Sequence, residues 1–188
     1  MKVLGIMGSP RIGSNTDLLL DEALNGARSQ GAEVEKIVVD KLKIAPCKEY
    51  YGCFRDGTCV IRDDMDAIYP KLLSADRVII ASPMFFYSLS AQVKALIDRC
   101  QALWARRHIL KQETPVAGRK GAFIAVGATK GKQLFDGSRL VVKYFFSAVG
   151  VAYSDELLIR GVDQKGEIKA NPAALSDAFE LGKRLVQD

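Results

Sequence analysis

The sequence predicts an α/β fold: a doubly wound parallel sheet of five strands with helices on both faces. Two observations carry that expectation. Short apolar runs alternate with longer amphipathic segments five times along the chain, the pattern of parallel strands joined by right-handed helical crossovers. The 188 residues are 48% hydrophobic and 26% charged, enough for one full core. No repeat, low-complexity tract or linker interrupts them, so residues 1–188 read as a single domain.

The elements follow in order. "KVLGIMG" is a buried strand. In "SNTDLLLDEALNGARSQG", Leu18, Leu19, Leu20, Ala23, Leu24 and Ala27 share one side of a helix that Gly31 stops. "AEVEKIVVD" is the second strand, and a cysteine-containing loop covers about residues 41–63. Next come a helix around Met65 to Leu73, the strand "DRVIIASP" and a helix from Ser88 to about Leu103. The strand "KGAFIAVGA", a helix around Leu140 to Val149, the strand "VAYSDELLI" and a helix from about Pro172 to Val186 complete the pattern. Such sheets bind ligands in the crevice at the carboxyl ends of their strands. Here those ends are the loops starting at Gly8, Lys41, Ser82, Ala128 and Arg160.

Charge excludes some partners. Lys and Arg number 27 against 22 Asp and Glu, a net charge of +5, but the basic residues are scattered. The densest patches, "WARRHILK" and "GRKG", lack the aromatic interleaving of a nucleic-acid platform, so no nucleic acid is expected. The opening "MKVLGIMGSP" breaks at Gly8 and Pro10 and does not read as a signal peptide. No run approaches the roughly 20 apolar residues of a membrane span. A soluble, cytoplasmic protein is expected, and in that compartment four cysteines are not a disulfide framework.

The first strand-to-helix loop, "GSPRIGSNT", has the composition of an anion site. A helix N-terminus offers unpaired N–H groups and a partial positive charge. Ser9, Ser14, Asn15 and Thr16 add donors, and Arg11 adds a charge. The loop has neither GK[ST] nor GxGxxG, so a monophosphate suits it better than a triphosphate or a dinucleotide. Ser14 or Asn15 would cap the helix in any case.

Together with "SPMFFYSLSAQVKALIDR" after the third strand, this loop resembles the flavodoxin-like NAD(P)H-dependent FMN reductases. The ordered set "PC…GC…C", "DDM", "SPMFFYSLS" and "LIDR" is similar to the iron-sulfur flavoprotein branch of that superfamily, over nearly the whole chain. The resemblance implies a flavodoxin-like fold, FMN as cofactor, NAD(P)H as co-substrate and a homodimer or homotetramer. It implies Ser9, Arg11, Ser14, Asn15 and Thr16 on the ribityl phosphate, and Pro83, Met84, Phe85, Phe86, Tyr87 and Ser88 on the isoalloxazine ring. The residues agree with the second assignment: four apolar or aromatic side chains in succession at a strand's carboxyl end need a cover, and a flat ring supplies one. A subunit interface would cover them as well. In "GATKGKQLFDG", Thr129 and Gly131 sit in a loop that permits close approach to the ring, and Lys130 or Lys132 could meet charge developing there.

"PCKEYYGCFRDGTC" holds three of the four cysteines. The branch resembled carries a C-x2-C-x2-C motif and a fourth cysteine. Cys47, Cys53 and Cys59 match the first, third and fourth positions, and Tyr50 occupies the second. Four readings stand open: a [4Fe-4S] cluster on three thiolates, zinc with Asp56, Asp63 or Asp64 as fourth ligand, a redox thiol pair, or a loop without metal. Asp63 or Asp64 suits an N-cap, Cys100 reads as a small core residue, His108 as a solvated loop residue and Trp104 as packing.

The function expected is an FMN-dependent NAD(P)H oxidoreductase that passes electrons to a quinone, azo compound, metal ion or redox protein. The flavin supplies the reactive chemistry, so binding residues are expected and no catalytic acid or base. The alternative is an iron-sulfur flavoprotein or flavodoxin-like electron carrier. Simple flavodoxins are strongly acidic, and this chain is +5.

Overall fold

In a computed structural model, which describes residues 1–112 and 117–187, five parallel strands form one sheet in the order β2-β1-β3-β4-β5. The strands are β1 (Lys2–Met7), β2 (Glu33–Val38), β3 (Arg77–Pro83), β4 (Lys120–Gly127) and β5 (Ala152–Arg160). The strand order reverses between β1 and β3, which places a ligand crevice at their carboxyl ends. The flavodoxin-like expectation is met.

Helices α1 (Asn15–Ser29) and α7 (Pro172–Val186) cover one face. The short α2 (Cys53–Asp56) lies in the cysteine loop, and α3 (Met65–Ser74), α4 (Ala91–Arg99), α5 (Gln101–His108) and α6 (Asp136–Ala148) belong to the other side. Leu4, Ile6, Val78, Ile80 and Phe123 point into the core under α3 to α6; Val3, Met7, Ile79, Ala81 and Ile124 point into the core under α1 and α7. That alternation explains why the central strands carry unbroken apolar runs rather than alternating ones.

Two glycines bring α1 and α7 into backbone contact. A Cβ on Gly26 would stand 1.9 Å from the Phe179 carbonyl oxygen, and one on Gly182 would stand 1.8 Å from that of Ala23. Only hydrogen fits at either position.

Two buried arginines organise the opposite edge of the sheet. At the amino end of β3, Arg77 Nε donates to the Leu185 carbonyl at 2.6 Å. Just before β4, Arg119 donates to the carbonyls of Ala75 (2.7 Å), Val149 (2.6 Å) and Leu72. Those carbonyls lie at or beside the C-terminal ends of α7, α3 and α6, where the helix dipole is negative. Helix C-termini thus meet fixed cations at the amino edge, and helix N-termini are left for the carboxyl edge.

Two boundaries differ from expectation. Helix α4 starts at Ala91, capped by Ser90, because Ser88 is engaged in a tight turn with Phe85. The single helix expected from Ser88 to Leu103 is two, divided at Cys100, whose N–H bonds to the Ile97 carbonyl at 2.9 Å. Cys100 is 1% exposed and packs in the core, as expected.

Candidate functional site

The loop after β1 leaves unpaired donors at the start of α1. Gly8 donates to the Ala81 carbonyl at 2.7 Å, and a Cβ there would lie 2.2 Å from Val93, so the chain leaves β1 flush against β3 and α4. Ser14 is the N-cap of α1, its hydroxyl accepting from Asp17 N–H at 3.3 Å. Asp17 in turn accepts from Gly13 N–H at 2.7 Å and is paired with Lys36, so its charge is compensated. The N–H groups of Asn15 and Thr16, and the hydroxyl of the buried Thr16, have no hydrogen-bond partner among the described residues. Orphan donors in the first turn of a helix suit a phosphate.

The predicted residues of this loop divide by role. Ser9, Ser14, Asn15 and Thr16 are buried around the loop, and Arg11 is exposed beside it. The Asn15 side chain is committed elsewhere: its Nδ2 donates to the Gln164 carbonyl at 2.9 Å and its Oδ1 accepts from Ile168 N–H at 3.1 Å. Only its main chain remains for an anion.

The second wall is the segment after β3. Met84 N–H donates to the Val126 carbonyl at 2.9 Å. Phe85 and Ser88 exchange main-chain hydrogen bonds of 2.9 and 3.0 Å, closing a two-residue turn on Phe86 and Tyr87. Both turn residues have positive φ, +48° and +61°, the type I′ arrangement that ordinarily selects Asn and Gly. For L-residues that conformation is unfavourable by about 1–2 kcal/mol each. Phe86 is fully exposed at 103%, and Phe85 and Tyr87 stand about half exposed on either side of it. Aromatic side chains displayed to solvent at a sheet's carboxyl edge suit a flat ligand or a partner surface.

The loop between β4 and α6 closes the third side. A Cβ on Gly131 would sit 2.5 Å from Tyr87 Oη, so the expected close approach at Gly131 is to the aromatic turn. Thr129 is exposed in the same loop. Arg160, at the end of β5, donates to the carbonyls of Gly131 (3.3 Å) and Lys132 (3.2 Å) and lies 4.8 Å over the Phe135 ring. Lys130 packs against Gly161. Pro83, Met84 and Ser88 are half-buried and support the turn from below. Ser90 joins two walls by donating its hydroxyl to the Gly8 carbonyl at 2.6 Å while capping α4.

The cysteine loop stands apart. Its neck is clasped by Arg99, whose side chain is 0% exposed and which donates to the carbonyls of Ala45 (2.9 Å) and Ile61 (3.0 Å) and to the Asp63 carboxylate (2.5 Å). Asp63 also accepts from the N–H groups of Ala45 and Met65. Burial pushes the Asp63 carboxyl up, but the guanidinium and these two N–H groups outweigh it and hold it below the usual range. Asp63 therefore braces the loop as well as the first turn of α3, while Asp64 makes no capping bond.

Cys47, Cys53 and Cys59 are free and half-buried. Burial, then the neighbouring Cys59 and Cys47, push the Cys53 thiol up. Among the described residues, no group of three or more His, Cys, Asp or Glu side chains is placed to hold a metal ion. Cys53 begins the helical turn α2, Cys59 follows the left-handed Gly57, and Cys47 precedes the left-handed Glu49 and Tyr51. Tyr50, in the missing ligand's position, is 63% exposed. Cys47 and Cys53 line a cleft of about 1060 Å³ with Trp104, His108 and Tyr144, away from the phosphate loop and the aromatic turn. His108 ends α5, where it stacks on Trp104 at 5.1 Å, rather than lying in a loop.

A 2-1-3-4-5 parallel sheet, with unpaired helix-start donors and an exposed aromatic turn at its switch point, defines the flavodoxin-like fold class. Residues 1–150 match the family model of the NADPH-dependent FMN reductases, and the chain belongs to that family. It is 33% identical to an iron-sulfur flavoprotein of Methanocaldococcus jannaschii, over 100% of this chain and 96% of the relative. It is 38% identical to an iron-sulfur flavoprotein of Methanosarcina thermophila, over 69% of this chain and 65% of the relative. Among solved structures, an NAD(P)H:quinone oxidoreductase from Methanothermobacter marburgensis superposes with a TM-score of 0.79 over 100% of this chain and 97% of the other, at 16% identity, which establishes likeness of fold.

Proposed function

We propose that this protein is an FMN-dependent NAD(P)H oxidoreductase. The observation that carries the reading is the meeting, at one sheet edge, of orphan main-chain donors at Asn15 and Thr16 with the strained, exposed turn at Phe86 and Tyr87. The first suits the phosphate of FMN and the second its ring. Bound there, FMN would supply two-electron chemistry between a reduced nicotinamide and an acceptor. The chain's own work is binding and orientation: Ser9, Ser14 and Thr16 with Arg11 at the phosphate, Pro83 to Ser88 along the ring, and the β4–α6 loop with Thr129 and Gly131 held against Tyr87 by Arg160. No side-chain acid or base is needed. A small molecule or a redox protein accepts the electrons, and the exposed aromatic turn suits a homodimer or homotetramer. Among the described residues, no helix is long and apolar enough to cross a membrane.

An electron carrier with a [4Fe-4S] cluster is the second reading, favoured by the names of the archaeal relatives. The residues do not fit it. Cluster sites ordinarily use four thiolates, whereas this loop has three and Tyr50, and among the described residues no group of three or more such ligands is placed to hold a metal ion. Anaerobic purification with a visible spectrum and an iron and acid-labile sulfide assay separates the two. Flavin bands without iron, bleached rapidly by NADPH or NADH, support the reductase; iron and sulfide with bleaching only by a reduced ferredoxin support the carrier. A colourless protein that takes up no FMN would refute both.

A further inference from the structure

The loop between β5 and α7 carries no motif, yet its fold aims one residue at the phosphate cradle. Asn15 holds this loop at both ends of its amide, through the Gln164 carbonyl and the Ile168 N–H. Ile168 is 0% exposed and anchored in the core beneath α1 and α7. The Glu167 carboxylate accepts from the N–H groups of Asp163 and Gln164, each at 2.8 Å, and so closes the turn between them. Lys165 is projected from this braced turn, immediately before Gly166 at φ +79°. Its Cε lies 3.6 Å from the point a Cβ on Gly13 would occupy, so the side chain lies across the phosphate loop itself. Lys165 makes no ion pair among the described residues. The anionic group nearest the loop by hydrogen bond, Asp17, is already matched by Lys36.

We infer that Lys165 is the cationic partner of the phosphate monoester held by this loop, delivered by a β5–α7 arm that Asn15 locks in place. The inference rests on the FMN reading above. A primary ammonium on a short, braced arm neutralises a phosphate dianion as a point charge, adding to the directional N–H donors of Asn15 and Thr16. It also gives the buried Asn15 side chain a purpose: holding the arm that presents the cation.

The test titrates flavin-free protein with FMN and with riboflavin, following flavin fluorescence over a range of salt concentrations. Lys165→Gln should weaken FMN binding about tenfold, equivalent to about 1.4 kcal/mol, leave riboflavin binding unchanged and flatten the salt dependence. Lys165→Glu should weaken FMN further, and Lys165→Arg should retain it. Because Lys165 is exposed, these variants keep the fold, and unchanged riboflavin binding verifies it. Equal FMN affinity in wild type and Lys165→Gln overturns the inference while leaving the FMN reading intact. An equal loss for FMN and riboflavin also overturns it, since the effect would then not be on phosphate. Failure of the wild type to bind either flavin sinks both readings together.

Discussion

Replacing Phe86 with asparagine should stabilise the flavin-free protein and loosen its grip on the ring. In one protomer Phe86 adopts φ +48° at 103% exposure, so within the protomer its side chain buries nothing that a smaller residue would lose. A bulky L-residue in that region is disfavoured by about 1–2 kcal/mol, and asparagine tolerates it far better. Without any offsetting loss of buried area, Phe86→Asn should gain about 1 kcal/mol, which in a chain of this size raises the melting temperature by about 2–4 °C. Urea unfolding of the apoprotein should show a higher midpoint with an unchanged slope, because the surface exposed on unfolding scarcely changes. FMN titration should show the opposite sign: a lost aromatic contact of about 0.5–1.5 kcal/mol weakens binding roughly two- to tenfold. The same substitution at Tyr87 is a poorer experiment, since Tyr87 Oη is packed against Gly131. A midpoint that falls or stays put would refute the claim that this turn stores strain, and unaltered FMN affinity would refute the claim that the strain serves the ring.

Other consequences can be measured directly. Gly182→Ala drives a methyl group to 1.8 Å from the Ala23 carbonyl, so it should destabilise by about 1–3 kcal/mol or more and weaken FMN by displacing α1, read from denaturation and flavin titration. Asp63→Asn leaves the Arg99 guanidinium buried without its counter-charge and should destabilise by about 3–5 kcal/mol, by urea unfolding at neutral pH. Because the Asp63 carboxyl is held below its usual range, its contribution is full above the unfolded value of about 4 and is lost as pH falls through the lower folded value; Asp63→Asn should flatten that acid limb. Cys47, Cys53 and Cys59 should react with a maleimide in the native protein, while Cys100, at 1% exposure and with its thiol pushed up by burial, should react only on unfolding; four fast thiols would contradict the core placement.

What the sequence disclosed depended on whether the signal was local. Strands such as Arg77–Pro83 are visible because burial on both faces demands an unbroken apolar run, here Val78, Ile79, Ile80 and Ala81. The Ser14 cap of α1 is visible because Ser, Asn and Thr at a helix start announce capping. The turn at Phe86 and Tyr87 is hidden, since its conformation normally advertises itself with Asn-Gly and here carries two aromatics. The break at Cys100 is hidden because apolar residues continue through it; only the three-dimensional packing of α4 and α5 divides them. Arg99 with Asp63, and Asn15 with Gln164 and Ile168, are bonds across long stretches of chain, and neither partner alone suggests the other. The cysteines are legible as a motif, while the Arg99 clasp that holds the neck of their loop is not.

The glycine crossing of α1 and α7 bears on when the cofactor can be captured. Helix α1 leaves the Asn15 and Thr16 donors unpaired at one end and, toward its other end, rests backbone on backbone against α7 through Gly26 and Gly182. The seating of that helix therefore depends on an element that enters the chain only after β5. A nascent chain that has completed β1 and α1 already contains the cradle's residues but has nothing to seat the helix that holds them. Flavin uptake belongs after synthesis of α7, and a ribosome-bound chain arrested at β5 should remain colourless.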